Sequence, residues 1–260
     1  QWLHKSFVLY GEGRNGKSTL LHILQRLIGK NNFSSVSLSN INKPFSAVNL
    51  DGKLANIVGE SPTDKINAEI FKEATSGGYL TASKKYQDEY EFECQARFIF
   101  ACNEFPKFGE NTVGMQERLY FIPFNKYFEK GERDWSIKQE LEKELSGVLN
   151  WALSGLELLL EERRLPETQA SQDLMDEYNI EVDSVYAWAK DFIRHDSSYT
   201  IKTTSKEFYK KYKDSQNSTG RYVVSDNTFA KRFKKFLKSQ TWYVEKDMFD
   251  AKSKNYSFLK

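Results

Sequence analysis

The residues Ser6-Phe7-Val8-Leu9-Tyr10 run directly into Gly11-Glu12-Gly13-Arg14-Asn15-Gly16-Lys17-Ser18, and this junction decides the fold. The first five are a short, mostly apolar run of strand character. The next eight spell G-x-x-x-x-G-K-[ST]. Thr19–Ile28 then carries Leu20, Leu21, Leu24, Leu27 and Ile28 at helical spacing, and Gly29 stops the helix. Strand, glycine loop and helix stand in the order that a phosphate cradle requires. Glycines let successive backbone N–H groups curl around phosphate oxygens, and the helix N-terminus adds partial positive charge. Lys17 is positioned to reach β- and γ-phosphates, and the Ser18 hydroxyl to ligate Mg2+. The expected contact set is Gly11, Gly13, Asn15, Gly16, Lys17, Ser18 and Thr19, for ATP with Mg2+. The motif points to nucleotide binding without naming the task.

Two further apolar runs end in polar residues. Leu54-Ala55-Asn56-Ile57-Val58-Gly59-Glu60 puts a carboxylate just past a strand, where a phosphate-loop enzyme needs an acid to hold Mg2+ and polarise water. Only one acid stands there, so Glu60 serves both metal and water, or Asp64 helps it. Ala96-Arg97-Phe98-Ile99-Phe100-Ala101-Cys102-Asn103 fits a fully buried central strand. Asn103 at its end can orient a water or touch the γ-phosphate; the plainer alternative is the start of an Asn103–Pro106 turn. In open α/β sheets ligands gather at the carboxyl ends of strands. Leu119–Phe124 reads as one more strand, and Arg118 stands before it, at the opposite end in a parallel arrangement. Spacing alone favours a surface ion-pairing role for Arg118. The alternative is a finger into a neighbouring subunit's site.

Composition narrows the class. The 260 residues suit one large domain or two ordinary ones. Apolar residues at 39% with 15% aromatic exclude disorder. Leu149–Leu160 is too short to span a bilayer and reads as a buried helix. No signal peptide opens the chain, and a first residue of Gln suggests a piece of a longer protein. Cys94 and Cys102 fit no metal spacing and read as reduced, inert thiols on strands. His4, His22 and His195 are scattered singly, so no side-chain metal site is expected. The net charge of +2 divides unevenly: residues 201–260 hold 15 Lys/Arg and 6 Asp/Glu, or +9, and residues 1–200 hold 23 and 30, or −7. A small basic module follows a mildly acidic body.

With these elements in order, the chain resembles the superfamily 3 helicases, AAA+ ATPases of viral and plasmid replication, and in particular the helicase half of phage and plasmid primase–helicases. The likeness is carried by GEGRNGKSTLL at Gly11–Leu21, GKLANIVGE at Gly52–Glu60 and FKEATSGGYLTASKKY at Phe71–Tyr86. It continues through FIFACNEFP at Phe98–Pro106, GMQERLYFIPF at Gly114–Phe124 and ELSGVLNWALSGL at Glu144–Leu156. The resemblance implies an α/β P-loop AAA+ domain with a central, mostly parallel sheet and a helical lid. It also implies Walker A roles for Lys17 and Ser18, a Walker B role for Glu60, sensor 1 for Asn103 and an arginine finger for Arg118. Lys72 matches a lysine between the Walker B strand and a DNA-gripping hairpin, which corresponds to about Leu80–Cys94. Lys84 and Lys85 there, with Tyr86 and Tyr90 nearby, suit phosphates and bases, although solvated charge on a hairpin is the simpler reading. The resemblance implies a hexameric ring on single-stranded DNA, in the cytoplasm of a bacterial host. It also implies helices and often a primase domain ahead of this chain. Three departures stand out: Gly59 where a second acid is usual, Tyr79 where aspartate is frequent, and Glu117 where a second arginine is common.

Residues 134–162 are helical by period, with Leu141, Leu145, Val148, Leu149, Ala152, Leu156 and Leu159 near one face. Asp173–His195 reads as one or two more helices. In the tail, Ser205–Lys213 is a short helix. Asp226 caps a second, with Phe229, Phe233, Phe236 and Leu237 as its apolar stripe. Trp242–Glu245 and Asn255–Leu259 read as strands. Helix, helix, hairpin suggests a winged helix, with Lys231, Arg232 and Lys235 against duplex DNA. The expected division is a P-loop core over 1–128, a helical lid and connection over 129–195, and the winged helix over 196–260. Two rivals remain: an ATP-switched, DNA-binding initiator or loader without unwinding, and a small-molecule kinase suggested by the P-loop alone.

Overall fold

The computed structural model describes residues 2–60, 65–108, 112–193, 202–240, 249–250 and 255–257. The chain begins with β1 (Ser6–Tyr10), α1 (Lys17–Ile28), β2 (Phe33–Ser34), α2 (Pro44–Ala47), β3 (Ala55–Val58) and α3 (Ala68–Ser76). A hairpin follows, β4 (Tyr79–Ala82) and β5 (Tyr90–Glu93), then β6 (Arg97–Cys102), α4 (Val113–Gln116) and β7 (Leu119–Pro123). Next come α5 (Ile137–Lys143), α6 (Leu145–Glu162), α7 (Gln169–Val182), α8 (Ser184–Phe192) and β8 (Lys202–Thr204). The last elements are α9 (Ser205–Ser218), α10 (Asp226–Ser239), β9 (Phe249–Asp250) and β10 (Asn255–Ser257). By its contacts the chain forms two compact units, Gln1–Met175 and Asp176–Lys260.

The first unit is an α/β domain around a five-stranded sheet in the order β2-β3-β6-β1-β7. All its strand pairs are parallel. The central strands are apolar on both sides because both faces are covered. Alternation along them separates two layers. Leu9, Ile57 and Ala101 pack with Leu21 beneath α1. Phe98 faces the other way and meets Phe71 of α3, ring centroids 5.7 Å apart. Asn67 caps α3 by accepting from the Ile70 N–H, and Gly77 ends it in the left-handed conformation. The β4–β5 hairpin is a separate antiparallel pair, tied where β4 enters the connecting loop by the Ser83 N–H to the Pro44 carbonyl of α2.

The reading of Leu149–Leu160 as a buried helix is corrected. α6 has no buried residue. Leu145, Val148 and Leu159 are half-buried, whereas Trp151 is 76% and Leu158 62% exposed. The helix packs against α1, and that contact leaves most of its apolar surface uncovered. The expected single helix over 134–162 is also broken at Glu144, into α5 and α6. No helix among the described residues is long and apolar enough to cross a membrane.

The second unit holds its own core. Trp188 of α8 sits among Phe208, Tyr212, Phe229 and Phe233, with ring centroids 5.7–6.4 Å away. A boundary at 195/196 would cut α8 from this core, so the unit starts earlier than the sequence suggested. Its elements run α8, β8, α9, α10, then β9 and β10, with the strands in an antiparallel sheet ordered β8-β10-β9. The cap of α10 is Ser225, which accepts from the Thr228 N–H, rather than Asp226 one residue on. The Trp242–Glu245 segment lies outside the described residues, as does Asp64.

Candidate active site

Parallel pairing brings three strand ends to one edge. Tyr10 is level with Cys102, and Val58 with Phe100. The residues just beyond these ends line a single cleft of about 340 Å3. The glycine loop contributes Gly13 to Thr19, the end of β3 contributes Gly59 and Glu60, and the end of β6 contributes Cys102 and Asn103. Glu60 and Asn103 are exposed to it. Three candidates from distant parts of the sequence, Lys17, Glu60 and Asn103, therefore share one site with Ser18.

The loop's shape follows from its residues. Gly16, at φ 93°, caps α1 in the left-handed conformation, with no side chain closing the helix end and no acid in the first turn. The positive end of α1 is thus uncompensated by the chain, which suits an anion. Gly11 has φ 151°, and a Cβ there would lie 2.5 Å from the Phe124 carbonyl oxygen. No larger residue fits. Lys17 is buried, and its ammonium donates to the carbonyls of Gly11 and Glu12 and to Asn15 Oδ1. Burial holds its pKa below the ordinary lysine value, because desolvation penalises the charged form. A phosphate beside it would restore that charge. Cys102, in the same lining, is a free thiol whose pKa burial pushes up to about 12, and burial takes the free thiol of Cys94 to about 11. Neither has thiolate character near neutral pH.

Arg118 lies elsewhere. Leu119 pairs with Ser6 at the far end of β1, and the four steps along the five residues from Ser6 to Tyr10 span roughly 13 Å. Its guanidinium donates to the Gly114 carbonyl at 2.6 Å, to Ser76 Oγ at 2.7 Å and to the Lys72 carbonyl at 3.3 Å. It clamps the end of α3 to α4. Lys72 is half-buried on α3 and also stays out of the cleft lining. Lys84 and Lys85 are exposed at the tip of the β4–β5 hairpin, with Lys85 Nζ 5.0 Å from the Tyr86 ring centroid. Tyr86 itself is 93% exposed.

On α10 the helical phase divides the cations. Lys231, Lys234 and Lys238 are exposed along one face. Arg232 instead donates to Asp183 Oδ1, the carboxylate that caps α8, and Lys235 Nζ is withdrawn from solvent. Arg232 and Lys235 border the buried stripe of Phe229, Phe233, Phe236 and Leu237, so they are poor candidates for an outward surface. Lys234 and Lys238 replace them, and the phase of that stripe was the signal. Sequence reasoning also missed the segment after β7. Asn15 Nδ2 donates to the Phe124 carbonyl, the Phe128 N–H to the Arg14 carbonyl, and Arg14 Nη1 to the Tyr127 hydroxyl, each at 2.9 Å.

Residues 9–118 match a family of unknown function (DUF5906). Among curated proteins, the chain is 29% identical over 153 residues to "Putative helicase L207/L206" of Acanthamoeba polyphaga mimivirus. That match takes in 52% of this chain and 15% of the mimivirus protein. The chain therefore spans a small part of that relative. Among solved structures, an apo form of the NrS-1 C-terminal region aligns over 100% of this chain and 67% of its own, with a TM-score of 0.55 and 14% identity. An A-form apo structure of that region limited to its residues 305–718 aligns over 56% of this chain and 35% of its own, with a TM-score of 0.44 and 21% identity. At such identity the likeness is one of fold.

Proposed function

We propose that the chain is the ATP-driven motor portion of a DNA replication helicase. One observation carries the proposal: Lys17, Ser18, Glu60 and Asn103 converge at the carboxyl ends of three adjacent parallel strands, in one polar cleft. The mimivirus relative named as a helicase supports the DNA-linked part of it. The fit to Mg-ATP rests on the uncompensated N-terminus of α1 and on Lys17, whose ammonium contacts only loop acceptors that a phosphate can replace. Backbone N–H groups of Gly16 to Thr19 would cradle the phosphates, and Ser18 with Glu60 would hold Mg2+. Held there, the metal would supply positive charge to offset that of the phosphates. Glu60, the acid that the described residues bring to that strand end, accepts a proton from the attacking water, and Asn103 orients that water.

Translocation on single-stranded DNA belongs to the hairpin tip with Lys84, Lys85 and Tyr86. The order helix, strand, helix, helix and two strands in the second unit supports a winged-helix reading, and the Lys231–Lys234–Lys238 face of α10 suits duplex DNA. A hexameric ring, a finger from Arg118 and an upstream primase or helical domain complete the family picture. A finger is worth about 10³–10⁵ in rate, which converts to about 4–7 kcal/mol. Release of three hydrogen bonds at roughly 1 kcal/mol each is smaller, so a subunit contact could draw Arg118 out of its clamp.

The clamped Arg118 also favours a second reading, an ATP-switched initiator or loader that binds DNA without unwinding it. ATPase rate and solution mass, with and without single-stranded DNA, separate the two. The motor predicts hydrolysis that Lys17→Ala abolishes and that DNA stimulates, with the stimulation lost in Lys84→Ala/Lys85→Ala. Hydrolysis that ignores DNA in an assembled ring supports the switch. Activity that survives Lys17→Ala removes the cleft from both readings.

A further inference from the structure

The cleft is built for phosphates and offers little to a nucleobase. Its lining from Gly13 to Thr19, Gly59, Glu60 and Ala101 to Asn103 contains no aromatic side chain. A base needs a flat apolar face, since stacking on an aromatic ring is its main sequence-tolerant source of affinity. The aromatic group hydrogen-bonded to that lining is Tyr127. Arg14 belongs to the cleft wall and also donates from Nη1 to the Tyr127 hydroxyl at 2.9 Å. Nor is the contact isolated. The segment Phe124–Phe128 is fastened along the loop by the Phe124 N–H to the Tyr10 carbonyl, Asn15 to the Phe124 carbonyl, and the Phe128 N–H to the Arg14 carbonyl.

Two further facts single out this pair. Arg14 has φ 66°, a left-handed conformation that a non-glycine residue holds only at a cost of about 1 kcal/mol or more. The loop thus accepts backbone strain to carry a guanidinium where glycine would be cheaper. Tyr127 is 50% exposed, so its ring is open to a ligand while its hydroxyl is fixed. The hydrogen bond and charge of Arg14 hold that hydroxyl's pKa below the ordinary tyrosine value, as a close cationic donor should.

We propose that Tyr127, oriented by Arg14, is the stacking surface for the base of a bound nucleoside triphosphate. This rests on the nucleotide reading above. Arg14 then spans the gap between base and phosphates. Because every base presents a π-face, the device separates nucleotides from bare triphosphate more than it separates ATP from GTP.

The test is calorimetric titration of the full chain, in Mg2+, with ATP, GTP and inorganic tripolyphosphate. The proteins are the parent, Tyr127→Ala, Tyr127→Phe and Lys17→Ala, with thermal melts as a folding check. Loss of one stack predicts that Tyr127→Ala binds ATP and GTP about 5- to 150-fold more weakly and binds tripolyphosphate as the parent does. Tyr127→Phe keeps the ring and stays within about threefold of the parent for ATP. If Tyr127→Ala binds ATP like the parent while Lys17→Ala loses both ligands, the stacking surface is wrong and the nucleotide site stands. Equal weakening for ATP and tripolyphosphate also overturns the proposal, because Tyr127 would then only prop the loop. If Lys17→Ala binds like the parent, or the parent binds neither ligand, the nucleotide reading itself falls.

Discussion

Arg118 donates three hydrogen bonds to groups on α3 and α4, and its own carbonyl accepts from the Ser6 N–H and hydroxyl at 2.7 Å. It thereby fastens the starts of β1 and β7 to the helix that precedes the hairpin. Replacement by Gln strands the Gly114 carbonyl and leaves the Ser76 hydroxyl only its bond to the Lys72 carbonyl, and should cost about 1–3 kcal/mol, or roughly 2–12 °C in Tm for a domain of this size. Lysine should not rescue it, since one ammonium cannot reproduce a planar fork aimed at three acceptors. Thermal melts of Arg118→Gln and Arg118→Lys check this. An unchanged Tm with a collapsed ATPase rate in an assembled ring would mean that Arg118 works as a finger and that its clamp contributes nothing. The residue's place at the far end of the sheet was legible from its position before β7; its three partners were not, because they come from residues 72, 76 and 114, which only the folded chain brings together.

At the level of elements, α6 and α10 show what hydrophobic periodicity does and does not reveal. α10 presents a stripe of Phe229, Phe233, Phe236 and Leu237, all buried, and its partners α8 and α9 follow in the same unit. Phe233→Ala should therefore cost about 3–5 kcal/mol. The apolar pattern of α6 is richer, yet Leu158→Gln should change stability by less than about 0.5 kcal/mol, since Leu158 is 62% exposed. Parallel denaturant titrations check the contrast. Sequence reports that a helix is apolar; whether anything covers it depends on what packs beside it. The strand–loop–helix opening was legible because its determinants are local, whereas the cover of α6 is not a local property. Attachment of α5 to α1 was equally hidden. Glu142 of α5 reaches both His22 and Arg26 of α1, and the His22 hydrogen bond, before the Arg26 charge, holds its pKa below the ordinary glutamate value of 4.5. A depressed carboxylate pKa stabilises the fold fully above its unfolded value, and that contribution is lost as pH falls through the folded value. Thermal stability of the parent should drop faster than that of Glu142→Gln below about pH 4.5, in melts from pH 3 to pH 6. Parallel curves would show that the contact contributes nothing.

For the molecule as a whole, net charge conceals the division that matters. The +2 total is a −7 body and a +9 tail, and within each the cations have different tasks. Lys17 is committed to its loop, and Arg232 to the Asp183 cap. Among the cations exposed to solvent, Lys84 and Lys85 stand together on the hairpin, and Lys231, Lys234 and Lys238 along one face of α10. If both groups meet nucleic acid, binding must weaken with salt through counterion release, with a slope of about 0.9 per phosphate contact on duplex and about 0.7 on single strands. Exchange of all three α10 lysines for Gln should then flatten the duplex slope by about 2–3 and leave the single-strand slope alone. Lys84→Gln/Lys85→Gln should do the reverse, flattening the single-strand slope by about 1–1.5. Arg232→Gln is the informative control: it removes a positive charge from the same helix, but one paired inside the fold, so it should lower Tm and leave both slopes unchanged. Fluorescence anisotropy at several salt concentrations measures all four proteins. A duplex slope that responds to Arg232→Gln as strongly as to one α10 lysine would mean that the tail attracts DNA by bulk charge, without a dedicated face. A triple variant with the parent's duplex slope would remove α10 from DNA contact altogether.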